Sequence, residues 1–517
     1  MATLVRAPEA APPAVARDPR LVGVAVVGGT AALAIALCLI EMSTRSLWLD
    51  EAATVAIASQ HGSAFWSAIS HDGGNMLGYY ALMHVLIGWF GHAAFVLRLP
   101  SALAAGGAAG AVSLLALRLF DQRVAAAAGL LTAVSLPLVF WGQDGRGYAL
   151  MVALVAGSFC AFAAIVQADR GEHGTWIAYV ALTALSVYAS FVAVLVVPAQ
   201  LLLLASRPRA WRRVASALVV CGVSWVPLAV LAATRGSGQL FWISRPTLTS
   251  EKQVILALTS AGFEPNFHPT FVASGLAILS VALLLAACLA AVRSRHWGAQ
   301  LAAAWLLVPL VLMWLESLVG QPIFTARNLL VSLPAVALLL GWLLARTRVG
   351  WAVLAVLLVA RAVALAPSYG TSPENWRAAS AYVTASQRPG DCLAFYPLDA
   401  QMPFAYYTGS SVRPYIERYE TPRLPSGCRR VWLVASHQGL PSGTSTSRAH
   451  YARYAAIRSA LGREYRHAVT RSFGYASVIW VELFYGRSVV PTNVSALSPA
   501  SATPLTHSST VNGRPRT

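Results

Sequence analysis

Two carboxylates, Asp50 and Glu51, stand side by side just past the first long apolar run of the chain, in RSLWLDEAAT. A second polar pair, His71 and Asp72, closes the same stretch in HDGGNMLGYY, ahead of the next apolar segment. Carboxylates are costly against lipid and tolerable where they face water, a polar cavity or a substrate. The stretch from Arg45 to Tyr80 is therefore the leading candidate for chemistry, with Asp50 and Glu51 as its candidate catalytic carboxylates. The plainer reading uses the same residues: a helix exit into water, or Asp50 capping the helix that follows. Between the two pairs, Phe65, Trp66 and Ile69 recur at a helical spacing that suits a membrane surface better than a crossing.

The rest of the chain says what must position such groups. Of 517 residues 57% are hydrophobic and only 11% charged, with a mean hydropathy of +0.60. A soluble chain carries about 25% charged residues, so this is a polytopic α-helical membrane protein. The net charge of +18 does not point to nucleic acid, because much of it sits in short loops between apolar runs, where Arg and Lys set orientation. Residues 1–20 read as a flexible cytoplasmic tail, and 21–40 as a retained first span rather than a cleaved signal. Clear spans follow at 99–118, 124–141, 147–166, 213–233, 269–292, 298–319, 326–345 and 349–366. The run 175–206 exceeds the roughly 20 residues of one crossing and divides into 175–189 and 190–206, for about eleven spans in all.

Topology turns on 76–91. Counted as a crossing, it puts Arg118, Arg123, Arg207, Arg209, Arg212, Arg213, Arg293 and Arg295 outside. As a juxtamembrane helix of an outer loop spanning 42–98, it puts them inside with Arg346 and Arg348, as the charge rule prefers. The N terminus is then cytoplasmic and the C terminus outside. Asp50, the segment Gln143 to Arg146, the 234–268 loop and Arg327 share the outer face. In that loop Phe241 and Trp242 read as interface anchors, 250–261 as an amphipathic helix capped by Ser250, and Arg235, Arg245, Glu264 and His268 as its polar groups.

Composition changes after Tyr369. PENWRAASAYVTAS reads as a helix, DCLAFYP, RRVWLVAS and ASVIWVELFY as strands, and 447–461 as helical, so that 369–488 is expected to be a small extracytoplasmic α/β domain. Residues 489–517 read as a disordered tail, in which Asn493 heads an N-x-S match. Cys38, Cys160, Cys221 and Cys288 lie in apolar runs as small hydrophobes, whereas Cys392 and Cys428 would pair if their domain lies outside the cytoplasm. The chain shows no phosphate-binding glycine loop, dinucleotide fingerprint or metal-ligand cluster.

Four segments resemble the membrane-embedded glycosyltransferases of the C superfamily (GT-C), nearest to family 39 with its protein mannosyltransferases and aminoarabinose transferases. LWLDEA at 47–52 resembles the acidic motif of the first outer loop, and the run at 78–104 its juxtamembrane helix and second-span entry. WGQDGRGYAL at 141–150 resembles a Gln-Glu-Ala-Arg-x-Tyr segment, and FTARNLL at 324–330 with ENWRAA at 374–379 a late Arg-Tyr-Leu and Trp-Arg pair. The resemblance implies transfer of a sugar from a polyprenyl-phosphate donor on the outer face of the membrane, and the high Ala, Arg and Gly usage suggests a bacterial source and hence a bacterial cytoplasmic membrane. Asp50 would then take the proton from an acceptor hydroxyl, with Glu51 shaping the site, and inversion in one step. Arg146 and Arg327 would hold the donor phosphate, unless each is an interfacial arginine reaching for lipid headgroups.

Substrate-binding candidates by the same resemblance are His71, Asp72, Tyr79, Asp144, Tyr148, Asn328 and Trp376. The family's His-Pro-Pro turn is here His71-Asp72-Gly73-Gly74-Asn75, Asp144 stands for a Glu, and Asn328 for a Tyr. For Tyr79, Tyr148 and Trp376 interface anchoring is the default reading and sugar contact the alternative. No resident cofactor is expected, and a need for divalent metal stays open. The lipid-linked sugar, mannose or arabinose-like, is a substrate, and the acceptor is a protein, lipid or glycan. A flippase of lipid-linked sugars and a noncatalytic envelope scaffold are the rival readings.

Overall fold

The computed structural model describes residues 19–168, 172–236, 243–262, 271–410, 427–443, 445–474 and 479–486. The N-terminal tail up to residue 18, Phe241, Trp242, Glu264, His268, Asn493 and the 489–517 tail lie outside the described residues.

Helix α1 (Pro19–Leu39) leads into an outer-loop group of α2 (Leu49–Ala58), α3 (Gly62–His71) and α4 (Leu77–Phe90). The bundle continues with α5 (Ala94–Leu119), α6 (Gln122–Ala133), α7 (Leu136–Gly142), α8 (Tyr148–Gln167), α9 (His173–Ala189), α10 (Val197–Leu204) and α11 (Trp211–Arg235). It is completed by α12 (Leu248–Leu258), α13 (Phe271–Arg293), α14 (Trp297–Val319), α15 (Leu333–Leu344) and α16 (Arg348–Leu365). Seven of these, α1, α5, α8, α11, α13, α14 and α16, are long and apolar enough to cross a membrane. The pair α6–α7, bent by 57°, makes an eighth if taken as one broken span. Pro137 at the start of α7 accounts for the break, since it cannot continue the hydrogen-bond ladder. The other three expected crossings form helices too short for a straight passage. They are α9 at 17 residues, and the 3-10 turns Phe191–Val196 and Asn328–Ser332 running into α10 and α15.

Small residues let the bundle close. Thr30 on α1 and Ser113 on α5 share a 2.9 Å hydrogen bond, and a Cβ at Gly106 would lie 2.9 Å from the Ala31 carbonyl. Such positions are the usual means of close helix approach in lipid, where apolar burial alone gives no drive. The basic loops gather at one end. Arg207 lies over Trp297, Arg346 over Trp342, and Phe120 stacks on His296.

At the other end stands a four-stranded sheet of order β1-β2-β4-β3, made of β1 (Asp391–Tyr396), β2 (Arg430–Ala435), β3 (Tyr465–Phe473) and β4 (Ile479–Gly486). β1 and β2 are parallel, and the other pairings antiparallel. β2 is buried throughout, as its unbroken apolar run requires. Its Trp432 and Val434 face α17 (Trp376–Ser386) and α18 (Gln401–Thr408), while Val431, Leu433 and Ala435 face α19 (Ser445–Glu464). A disulfide joins Cys392 to Cys428, with Cα atoms 5.9 Å apart. β3 is an edge strand with mostly exposed polar side chains, which is why no apolar run announces it.

This sheet unit is docked on the first loop. Tyr407 Oη accepts from the Leu47 N–H at 2.7 Å, Arg377 donates to the Thr44 and Ser43 carbonyls, and Met402 packs on Leu49 and Ala52.

Candidate active site

Helix α2 carries both acidic candidates in its first turn. Neighbouring helical residues diverge by about 100°, so the two carboxylates cannot share a direction. Glu51 turns inward, to zero side-chain exposure, and meets Arg98 of α5 through two hydrogen bonds of 2.7 and 2.6 Å. It also accepts from the Gly145 N–H at 2.9 Å. Arg98 spends its remaining donors on the carbonyls of Met42, Arg45 and Ser46. Burial alone would raise the Glu51 carboxyl; the Arg98 guanidinium, with help from Arg45 and Gly145, reverses this and holds it below the usual carboxylate range. Glu51 is thus a brace tying α2, α5 and the α7–α8 turn together, and is not presented to a substrate.

Asp50 turns the other way and stays 17% exposed. Its Oδ2 lies 3.5 Å from Arg327 Nη1 and 3.9 Å from Arg146 Nη2. Three segments remote in the chain thereby bring one carboxylate and two guanidiniums together. Arg146 is held by Tyr80 Oη at 2.9 Å and Thr54 Oγ1 at 3.4 Å, and its Nε is buried without an acceptor among the described residues. Tyr148 lies close enough to Arg327 to act on its charge. Two guanidiniums converging on a partly open recess suit an anion such as a phosphate. The carboxylate between them can accept a proton.

The remaining candidates separate into neighbours and braces. Asp72 sits close enough for its charge to act on Arg146, and His71 ends α3 beside it, both half-buried. Tyr148, which opens α8, neighbours the cluster on the Arg327 side. Tyr79 is fully buried, bonded to the Leu97 carbonyl and Ser101. Asp144 is fully buried, with Oδ1 accepting from Trp48 Nε1 at 3.0 Å. Asn328 donates to the Ile323 carbonyl at 2.7 Å and so shapes the loop bearing Arg327. Trp376 lies in the sheet unit's core, donating to Glu374 at 2.7 Å. Tyr79, Asp144 and Trp376 are thus all buried within the fold. In the 250–261 helix the cap is Thr247, in a reciprocal box with Ser250, rather than Ser250 alone.

Sequence reading passed over Arg98, Arg45, Glu374 and His437. Arg45 donates to the Gln143 carbonyl at 2.7 Å, and Glu374 accepts from the Leu49 N–H at 3.0 Å, one residue before Asp50. His437, beyond β2, faces Glu374 at 3.1 Å. Arg98 had a visible signal, a lone cation entering a long apolar helix; His437 had none. Among the described residues, no group of three or more His, Cys, Asp or Glu side chains could hold a metal ion.

Residues 76–236 match the family model described as dolichyl-phosphate-mannose-protein mannosyltransferase. No curated protein sequence matches the chain. Among solved structures, ArnT from Cupriavidus metallidurans bound to undecaprenyl phosphate is similar with a TM-score of 0.53 at 14% identity, over 90% of this chain and 98% of that one. The apo state of the same protein gives 0.54 at 15% identity, over 87% and 97%. The archaeal oligosaccharyltransferase AglB from Archaeoglobus fulgidus, in complex with an inhibitory peptide and a dolichol-phosphate, gives 0.51 at 12% identity, over 91% and 75%. The chain is a polytopic α-helical membrane protein with a GT-C-like fold.

Proposed function

We propose that this protein is a glycosyltransferase that moves a sugar from a polyprenyl-phosphate donor to an acceptor on the outer face of the membrane. The observation that carries the reading is the Asp50 carboxylate set between Arg327 and Arg146 at 3.5 and 3.9 Å. Its support comes also from the solved structures of this fold, one bound to undecaprenyl phosphate and another to a dolichol-phosphate. The acceptor hydroxyl gives its proton to Asp50 as its oxygen attacks the anomeric carbon. The bond from that carbon to the phosphate oxygen breaks, and polyprenyl phosphate leaves with the electron pair. A single displacement inverts the anomeric centre. Arg146 and Arg327 offset the charge that grows on the phosphate, where fixed donors are worth most.

In this reading all eleven apolar segments are membrane-embedded, the N terminus is cytoplasmic, and the sheet unit stands outside over the recess. The donor sugar is mannose or arabinose-like, carried on undecaprenyl or decaprenyl phosphate.

Asp50→Asn keeps size and shape while removing the base. The purified variant is expected to remain monodisperse in detergent, to bind undecaprenyl phosphate, and to lose transfer by about a hundredfold or more. Loss of label from a polyprenyl-phosphate sugar in the presence of candidate acceptors measures this. Wild-type turnover by a well-folded Asp50→Asn variant removes Asp50 from the chemistry.

A further inference from the structure

On the side of Asp50 away from the bundle, the sheet unit contributes a histidine that the transfer mechanism does not use. Strands β1 and β2 run parallel, so their carboxyl ends reach the same edge, where ligands of open α/β sheets are commonly met. Asp399 follows β1 there, and His437 follows β2. His437 has φ +51, the left-handed region that a non-glycine residue holds only when its surroundings demand it.

The surroundings are specific. His437 Nε2 lies 3.1 Å from Glu374 Oε1, and Nδ1 lies 2.7 Å from Ser436 Oγ, so both ring nitrogens are committed and the ring cannot turn. Ser436 is fully buried, which rules out a nucleophilic serine in this Ser–His–Glu chain. The other Glu374 oxygen, Oε2, accepts from Trp376 Nε1 at 2.7 Å and from the Leu49 N–H at 3.0 Å. Leu49 opens α2, and no side chain of the preceding residue, Trp48, caps that helix. Glu374 therefore stands in for the missing cap, satisfying a first-turn N–H with a charge that the helix N-terminus favours.

We propose, on the basis of the transfer reading above, that Glu374 and His437 are positioning residues for Asp50: Glu374 caps the helix that carries it, and His437 holds Glu374 in place from the end of β2. The groups that face His437 are Glu374 ahead of α17, Asp399 after β1 and Asp50 on α2, all carboxylates. Burial alone would lower the imidazole; these three charges outweigh it and raise it above its ordinary value. The charged ring's grip on Glu374 is complete at low pH and is lost as pH rises through that raised value. The sheet unit thereby sets the aim of the base.

Hydrogen exchange of the 49–54 amides in the full-length protein in detergent tests this without any sugar donor. Rates corrected for the intrinsic pH dependence of exchange are followed from about pH 6 to about pH 9. The wild type is expected to show a several-fold loss of protection as His437 deprotonates. His437→Gln should exchange several-fold faster at the acid end and show no step, and Glu374→Ala, which removes the accepting oxygen, should expose the Leu49 N–H at every pH. A flat wild-type profile, or a wild-type step retained in His437→Gln, overturns the proposal. With a donor that supports turnover, His437→Gln is expected to lower kcat by about tenfold to a hundredfold with KM little changed, and to lose the alkaline limb of the pH profile. Failure of every donor to transfer sugar sinks the transferase reading alone, because the exchange result stands independently of it.

Discussion

Removing either half of the Glu51–Arg98 pair strands a charge at zero exposure. Glu51→Gln keeps the size of the side chain and leaves the Arg98 guanidinium without its counter-charge, at a cost of about 3–5 kcal/mol. Thermal unfolding of the purified protein should show this as a lowered Tm. The double change Glu51→Gln with Arg98→Met should recover part of the loss, because the Arg98 guanidinium is no longer left there without its counter-charge. A single Glu51→Gln variant as stable as wild type contradicts the role of brace. Asp144 makes the opposite case. Burial, and then the charge of Glu51, raise its carboxyl well above the ordinary 3.8, against Arg45, the Trp48 N–H and Arg98. The folded chain thus holds this proton more tightly than the unfolded one. Its stabilising effect is complete below 3.8 and declines as pH rises toward the folded value. Asp144→Asn keeps an acceptor for Trp48 and removes the titration. Its stability relative to wild type should therefore improve from acid to alkaline pH, and a constant difference across that range rules the account out.

Among the elements, what the sequence made legible followed from local pattern. The short run 76–91 folds as the single helix α4, and the over-long run 175–206 breaks at Ser190, between α9 and a 3-10 turn. Asp50, Arg146 and Arg327 could be grouped in advance because each follows an apolar run on the same reckoned face. The contacts of Arg98, Glu374 and His437 could not, since they join segments remote in the chain and leave no periodic trace. Turn chemistry was legible in kind but not in consequence. Gly73-Gly74-Asn75 replaces a proline turn because Gly73, Gly74 and Met76 all take positive φ, and Asn75 Oδ1 accepts from the Phe191 N–H at 3.3 Å. At Gly74, with φ +78, an added Cβ would sit 2.9 Å from Leu231 Cδ1 of α11. Gly74→Ala is expected to cost about 1–3 kcal/mol and to shift α3 with His71 and Asp72. Unfolding of the purified variant reads the first effect, and exchange of the 70–76 amides the second. An unperturbed variant shows that the turn has slack.

For the molecule as a whole, the decisive question is which side of the membrane holds the recess. Contacts already divide the bundle into two ends. Asp50, Arg146, Arg327 and the sheet unit meet at one, and Arg207, His296 and Arg346 lie among aromatic rings at the other. The cationic end is the one that the charge rule retains in the cytoplasm. In the function proposed above, a polyprenyl-phosphate sugar and its acceptor then meet on the outer side, where a disulfide such as Cys392–Cys428 also persists. Single cysteines at exposed positions test this. In intact cells a membrane-impermeant maleimide should label Ser43→Cys and Gln387→Cys, and should reach Arg295→Cys only after permeabilisation. The native thiols at Cys38, Cys160 and Cys221 are buried and Cys288 is half-buried, so a variant with all four replaced by Ala supplies the background. Labelling of Arg295→Cys in intact cells, with Ser43→Cys silent, would turn the molecule over. The recess would then open to the cytoplasm, and a donor presented on the outer face could not reach Asp50.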